Sequence, residues 1–162
     1  MSTKDNLKAA FAGESQANRA YTAFARKADK EGHAGVAKLF RAAAAAETVH
    51  ALNHMRVLGN IGTTEENLTV AIDGETHEYT SMYPGFIEEA QTEGDQQVIR
   101  SFTIANAVER IHADLYKKAL ADMSSANTDY YVCAVCGNTV ESEAPDVCPI
   151  CQAPKKQFAL IG

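Results

Sequence analysis

The sequence has no apolar stretch of membrane-spanning length: its runs, such as Ala42–Ala46, fall far short of the about 20 residues a spanning helix needs. Its first residues, Met1-Ser2-Thr3-Lys4-Asp5, contain no apolar core, which predicts no secretory export. Positive charge is scarce, with 15 Lys and Arg against 21 Asp and Glu and a net charge of −6. That balance argues against nucleic acid and anionic membranes as partners. None of the four cysteines lies outside two C-x-x-C pairs, so none remains for a disulfide framework. The chain is therefore expected in a reducing cytoplasm. Proline is nearly absent before residue 130, where only Pro84 occurs, so long helices are possible there.

At 162 residues the chain fits one good-sized domain and one small one. Four helical stripes with spacings of three and four fill residues 3 to about 122. They run through Leu7, Phe11, Glu14 and Tyr21; Val36, Phe40, Glu47, His50 and Val57; Leu68, Ile72, Glu75 and Met82; and Val98, Phe102, Glu109, His112 and Tyr116. Gly32, Gly59 and Gly94 mark helix ends. Pro84 falls inside the third stripe and predicts a kink there. Residues 1–123 are expected to be mostly α, 124–129 a polar linker, and 130–162 a separate Pro- and Cys-rich module.

The helical part says the same thing twice. Asn6-Leu7, Gly13-Glu14, Phe40 and Glu47-x-x-His50 recur as Asn67-Leu68, Gly74-Glu75, Phe102 and Glu109-x-x-His112. The offset is 61 residues early and 62 later, so one residue has been inserted in between. Glu14, Glu47, Glu75 and Glu109 all fall in apolar stripes, where unpaired carboxylates would cost several kcal/mol or stay protonated. Cations resolve the conflict. A lone Glu plus Glu-x-x-His, twice, is the ligand pattern of a carboxylate-bridged two-metal site in a four-helix bundle. Glu78 lies one turn after Glu75. With it the five carboxylates carry −5; one divalent ion leaves −3 and two leave −1. Oxygen and imidazole ligands suit iron or manganese, and zinc stays open by ligand type. His54 shares the stripe of His50 without a glutamate partner, and is read as packing or support. His33 and His77 read as helix-end residues.

Cys133-x-x-Cys136-Gly137 and Cys148-x-x-Cys151, eleven residues apart, form a tetrathiolate metal site. On spacing alone zinc and iron are equal candidates. About 33 residues bury too little apolar surface to fold alone, so the metal supplies much of the stability. Tyr130-Tyr131-Val132, Cys148-Pro149-x-Cys151, Ala153-Pro154-Lys155 and Phe158 look like rubredoxin and favour iron. Rubredoxin-like knuckles usually carry Gly after the second cysteine of each pair; Gln152 departs from this, at a cost of roughly 1 kcal/mol if the position needs positive φ.

With both halves read, the chain resembles the rubrerythrin family, also through Gly13-Glu14-Ser15-Gln16-Ala17 and Tyr79-Thr80-Ser81-Met82-Tyr83-Pro84. The resemblance implies a ferritin-like four-helix bundle with a C-terminal rubredoxin-like domain. It implies a non-haem diiron peroxidase, reducing hydrogen peroxide to water. Electrons would enter through a mononuclear tetrathiolate iron from NAD(P)H, by way of rubredoxin or a reductase. It implies two irons held by Glu14, Glu47, His50, Glu75, Glu78, Glu109 and His112, with Glu47 and Glu109 bridging or lying between irons and histidines. Glu78 matches the glutamate that exchanges with His50, and His112 the histidine that stays bound. Tyr21 and Tyr83 match two tyrosines near the cluster. The rubredoxin-like iron would sit on Cys133, Cys136, Cys148 and Cys151. The competing reading is ferritin-like iron oxidation and storage; the second Glu-x-x-His, Glu78 and the tail argue against it.

Chain reach bears on assembly. Between Leu58 and Glu66 a single-chain bundle would need to span about 25 Å axially. Eight residue steps reach roughly 26–29 Å, leaving little for sideways travel. The expectation is a homodimer or higher oligomer in which the second hairpin docks on the first hairpin of another copy. The linker begins about 14 Å past His112, which leaves open whether the rubredoxin-like module nearest the diiron site is its own chain's or a neighbour's.

Overall fold

The computed structural model describes residues 2–162. It is mostly helical and divides into two compact units, one ending at Gly62 and one running Thr63–Gly162. The first unit is a helical hairpin, α1 (Thr3–Lys30) packed on α2 (Ala34–Leu58). The second contains α3 (Thr64–His77), a π turn (Glu78–Met82) and α4 (Tyr83–Glu93), all packed on α5 (Gln96–Ala121). A 3-10 turn (Met123–Ala126) leads to β1 (Tyr130–Cys133), β2 (Thr139–Glu141) and β3 (Phe158–Ile161). The linker expected at 124–129 thus lies inside the second unit. Among the described residues no helix is long and apolar enough to cross a membrane.

Both units begin with the same device. Ser2 Oγ accepts the Asp5 N–H while the Asp5 carboxylate accepts the Ser2 N–H. Thr63 Oγ1 and Glu66 do the same for α3, at 3.3 and 2.7 Å. Each is a reciprocal capping box that satisfies two otherwise orphaned donors. Gly59 and Gly94 end α2 and α4 in the left-handed region, at φ 73° and 79°, where a Cβ would be strained.

The repeat seen in sequence is also a repeat of packing. Tyr21, Phe24 and Phe40 cluster with ring centroids 5.5–6.3 Å apart, and Tyr83, Phe86 and Phe102 with centroids 5.6–6.3 Å apart. In the first unit the step from Glu14 to Tyr21 is seven residues, two α turns. In the second the step from Glu75 to Tyr83 is eight, and the π turn lies between them. A π turn takes up one residue more than an α turn, so both tyrosines return to the face of their glutamates. The one-residue insertion is therefore the π turn. It also accounts for Pro84. Where the kink was expected, the helix has a wide turn in which the Tyr83 N–H bonds to the Glu78 carbonyl. Pro84 then sits at the start of α4, where its missing donor is tolerated.

The C-terminal module is a three-stranded antiparallel sheet in the order β2-β1-β3, with Tyr131 opposite Val140 on one side and Leu160 on the other. Its core is Cys133, Cys148 and Ala153, flanked by Cys136, Ile150, Cys151 and Phe158. So small a core cannot hold a fold by burial alone. Gly137 and Gln152 both have positive φ, 82° and 64°. Their N–H groups bond to the Cys133 and Cys148 carbonyls at 2.8 and 2.9 Å. The two knuckles make the same turn, and Gln152 adopts the conformation its sequence position implied.

Candidate metal centres

The first unit gathers Glu14 from α1 with Glu47 and His50 from α2; the second gathers Glu75 from α3 with Glu109 and His112 from α5. The two triads are near copies. His50 Nδ1 lies 2.9 Å from Glu47 Oε2 and 3.8 Å from Glu14 Oε1. His112 Nδ1 lies 2.9 Å from Glu109 Oε2 and 3.7 Å from Glu75 Oε1. Two donors at about 2.1 Å from one ion and at right angles to each other are about 3.0 Å apart. The spacings therefore suit ligands of a common cation. The Glu-x-x-His spacing puts both side chains of each pair on one helix face, one turn apart. Buried Asn18 braces the first triad from α1, donating to the Ala44 carbonyl and to Thr48 Oγ1 of α2 at 2.6 and 2.7 Å.

The carboxylates show what is missing from a purely protein environment. A hydrogen bond shared with Glu47 raises Glu14, and the same bond lowers Glu47 with help from His50. Burial pushes Glu75 up to about 6, with Glu109 and Glu78 adding and His112 opposing. In each triad the lone glutamate thus gives up its proton less readily than an ordinary carboxylate, as expected of acids crowded together without a cation.

Glu78 is half-buried at the first residue of the π turn and lies close enough to Glu75 to raise it, but it is not within the triad. Tyr83 faces the same carboxylates: burial first, then Glu109, Glu78 and Glu75, keep its hydroxyl protonated to higher pH than usual. Tyr21 lies in the aromatic cluster of the first unit. His54 is half-buried and near enough to Glu14 to lower it, outside the triad. His33 precedes α2 and His77 ends α3, both exposed.

The four Sγ atoms come within 4.8 Å of one another, with Cys133–Cys151 at 3.7 Å and Cys136–Cys148 at 3.6 Å. Sulfurs at 2.3 Å around a tetrahedral ion are about 3.8 Å apart, so the set is spaced for a metal. A disulfide, at about 2.05 Å, is excluded. Burial acts against ionising Cys148, but backbone N–H groups of Cys151 and Ile150 bring it to about 7. Burial raises Cys136 and Cys151. Asn138, 1% exposed, donates from Nδ2 to Cys148 Sγ at 3.7 Å. Four crowded thiols with N–H groups aimed at sulfur need a cation to ionise together.

Three neighbours of these sites were not singled out as site residues from the sequence. Tyr116, four residues after His112, has its hydroxyl raised by burial and by Glu75 and Glu109. Asn138 and Thr139 follow the first knuckle; Thr139 Oγ1 lies 3.0 Å from His112 Nε2. Only the stripe position of Tyr116 hinted at a place near the site. That β2 returns to α5 could not be read from spacing. It brings this chain's own module to His112, and Lys118 clasps Glu141 at 2.8 and 2.9 Å beside it.

Residues 5–120 match the family model described as rubrerythrin, and residues 131–159 match that of the rubrerythrin rubredoxin-like domain. The chain is 37% identical to nigerythrin of Nitratidesulfovibrio vulgaris, covering 97% of this chain and 85% of that protein. It is 35% identical to rubrerythrin-2 of Clostridium acetobutylicum, covering 96% and 95%. It is similar to the solved structure of fully reduced, all-ferrous nigerythrin, with a TM-score of 0.60 and 35% identity over 99% of this chain and 87% of that one. The Glu and His groups and the paired cysteine knuckles fit the diiron and mononuclear iron sites of these relatives.

Proposed function

The chain belongs to the rubrerythrin family of peroxidase-like oxidoreductases, and on that premise we propose that it is a non-haem diiron peroxidase that reduces hydrogen peroxide to water in the cytoplasm. The observation that carries the reading is the pair of matched Glu–Glu–His triads in a chain that also carries a tetrathiolate site. The first alone would suit iron oxidation; the second adds an electron inlet.

The reaction takes two electrons and two protons per peroxide and yields two waters. The iron pair, when bound, supplies both electrons at once, so no radical need be released. The chain's residues do the rest. Glu14, Glu47, His50, Glu75, Glu109 and His112 hold the metals. Glu47 and Glu109, beside the histidines, would be the carboxylates able to adjust to a change of metal charge. Glu78 would be a further ligand that alternates with His50, and its carboxyl could carry a proton when free of metal. Tyr83, its hydroxyl kept protonated by burial and three glutamates, would be placed to donate a hydrogen bond to peroxide. Tyr21 has the matching place in the first unit. Cys133, Cys136, Cys148 and Cys151 hold a single iron, and NAD(P)H supplies electrons to it through rubredoxin or a reductase.

We also infer that the triads meet between copies, the first hairpin of one on the second hairpin of another. In the isolated chain, the helix residues Phe24, Val36, Val57 and Phe86 stay 49%, 47%, 56% and 42% exposed. Apolar faces of that extent call for a cover.

The test is anaerobic. The iron-loaded protein is fully reduced and mixed with hydrogen peroxide, and the return of ferric-thiolate absorbance is followed. Fast return with one peroxide consumed per two electrons supports the reading. No return in protein shown to hold all its iron overturns it, and retention of iron far beyond three atoms per chain would put storage in its place.

A further inference from the structure

The contact between His112 and Thr139 carries a proton count that fixes chemistry. Thr139 Oγ1 lies 3.1 Å from the Gly137 carbonyl and 3.0 Å from His112 Nε2. A hydroxyl has one proton. The hydroxyl is directed at Gly137 O, which only accepts. With its proton given there, Oγ1 accepts from the ring, and the hydrogen lies on Nε2. In the neutral ring this leaves Nδ1 as a bare lone pair, 2.9 Å from the Glu109 carboxylate. Two acceptors at that distance repel unless a cation lies between them. The ring is thus turned to present Nδ1 to a metal.

We propose that Thr139 is the positioning residue for His112: its hydroxyl locks the ring in the Nε2–H tautomer and bridges it to the Cys133-x-x-Cys136-Gly137 loop. The bridge is made wholly within the second unit. Gly137 N–H already bonds to the Cys133 carbonyl at 2.8 Å. A continuous chain of short bonds therefore runs from the triad to the backbone of the tetrathiolate site. His50 shows the contrast. Its side chain is 55% exposed against 26% for His112, and among the described residues its Nε2 has no such partner. Within one chain the two halves of the repeat thus differ in what faces the far nitrogen of each histidine, and Thr139 fills that place on one side. The assignment rests on reading His112 as a metal ligand.

The test compares the full-length protein with Thr139→Val and Thr139→Ser. Valine keeps the shape and suits a strand, so β2 should form; an unchanged ferric-thiolate spectrum checks that the knuckle is intact. The first readout is nitrogen-15 NMR of the histidines in protein that holds zinc at the tetrathiolate site alone and in protein whose triads are zinc-loaded as well. A slowly exchanging His112 Nε2–H is expected in the parent and in T139S, and at least tenfold faster exchange in T139V. The second readout is zinc affinity at the triad, expected to fall about 10- to 100-fold in T139V and to recover in T139S. Unchanged exchange, or affinity within twofold of the parent, overturns the role of Thr139. If zinc leaves the Nδ1 shift of His112 unmoved in the parent, the ligand reading itself has failed. The Nε2–H signal of the protein with zinc at the tetrathiolate site and empty triads separates that failure from the loss of the bridge.

Discussion

At the scale of single residues, two positions test the argument most directly. Glu78 stands outside the second triad but raises Glu75 through space. A residue that holds metal only part of the time should matter more to turnover than to loading. Glu78→Ala is expected to slow peroxide reduction about 10- to 100-fold while iron content falls by less than half. If iron loss tracks the lost rate, the exchange role is wrong. Gln152 is the second position. A left-handed non-Gly residue costs about 1–2 kcal/mol, and glycine returns part of that as unfolded-chain entropy. Gln152→Gly should therefore stabilise the loaded module by about 0.5–1 kcal/mol in thermal unfolding. Gly137→Ala should do the reverse: an added Cβ would meet only Val108 Cγ1 at 3.8 Å, so its cost is backbone strain rather than crowding. The ligands and Gln152 were legible because their types and spacings are rules of covalent geometry. Thr139, Asn138 and Tyr116 were not, because their partners, His112, Cys148 Sγ and Glu75 in turn, are set by packing between elements.

At the scale of elements, the register of the third rod is decided by one residue. The sequence shows an offset that changes from 61 to 62, and spacing gives no sign of how the helix absorbs it. Pro84 drew attention to a kink, since a missing donor is visible in the letters. The backbone instead widens one turn, which absorbs the insertion and makes room for the proline together. Deleting Ser81, exposed within the π turn, would restore the seven-residue step of the first unit. Tyr83 would stay on the face of Glu75, but Pro84 would fall inside an α-helix. The deletion alone should cost about 3 kcal/mol, and pairing it with Pro84→Ala should recover most of that. Deleting Ala17 from α1 is the control. It turns Tyr21 and Phe24 by about 100° away from Phe40 and should cost as much with no such rescue. If the Ser81 deletion is not rescued when its unfolding free energy is measured, the π turn has a purpose beyond register.

At the scale of the whole molecule, metal and assembly should be one equilibrium. Each triad brings two carboxylates and a histidine that face one another with too few protons to satisfy them. Bringing two triads together without cations adds like charges, and Glu78 adds one more. Cations reverse the sign of that interaction, so binding free energy for metal is also binding free energy between hairpins. If the triads meet between copies, stripping the iron should weaken the oligomer, by about tenfold or more in dissociation constant for each 1.4 kcal/mol of lost coupling. Zinc, which cannot change oxidation state, should restore it as well as iron does. The measurement is sedimentation equilibrium of metal-free, zinc-loaded and iron-loaded protein. Cys148→Ser serves as the control, since damage to the tetrathiolate site should leave hairpin association intact. An oligomer whose dissociation constant is indifferent to metal would place the triads' meeting within one chain. The short connection from Gly59 to Thr63 would then have to do what its reach argues against.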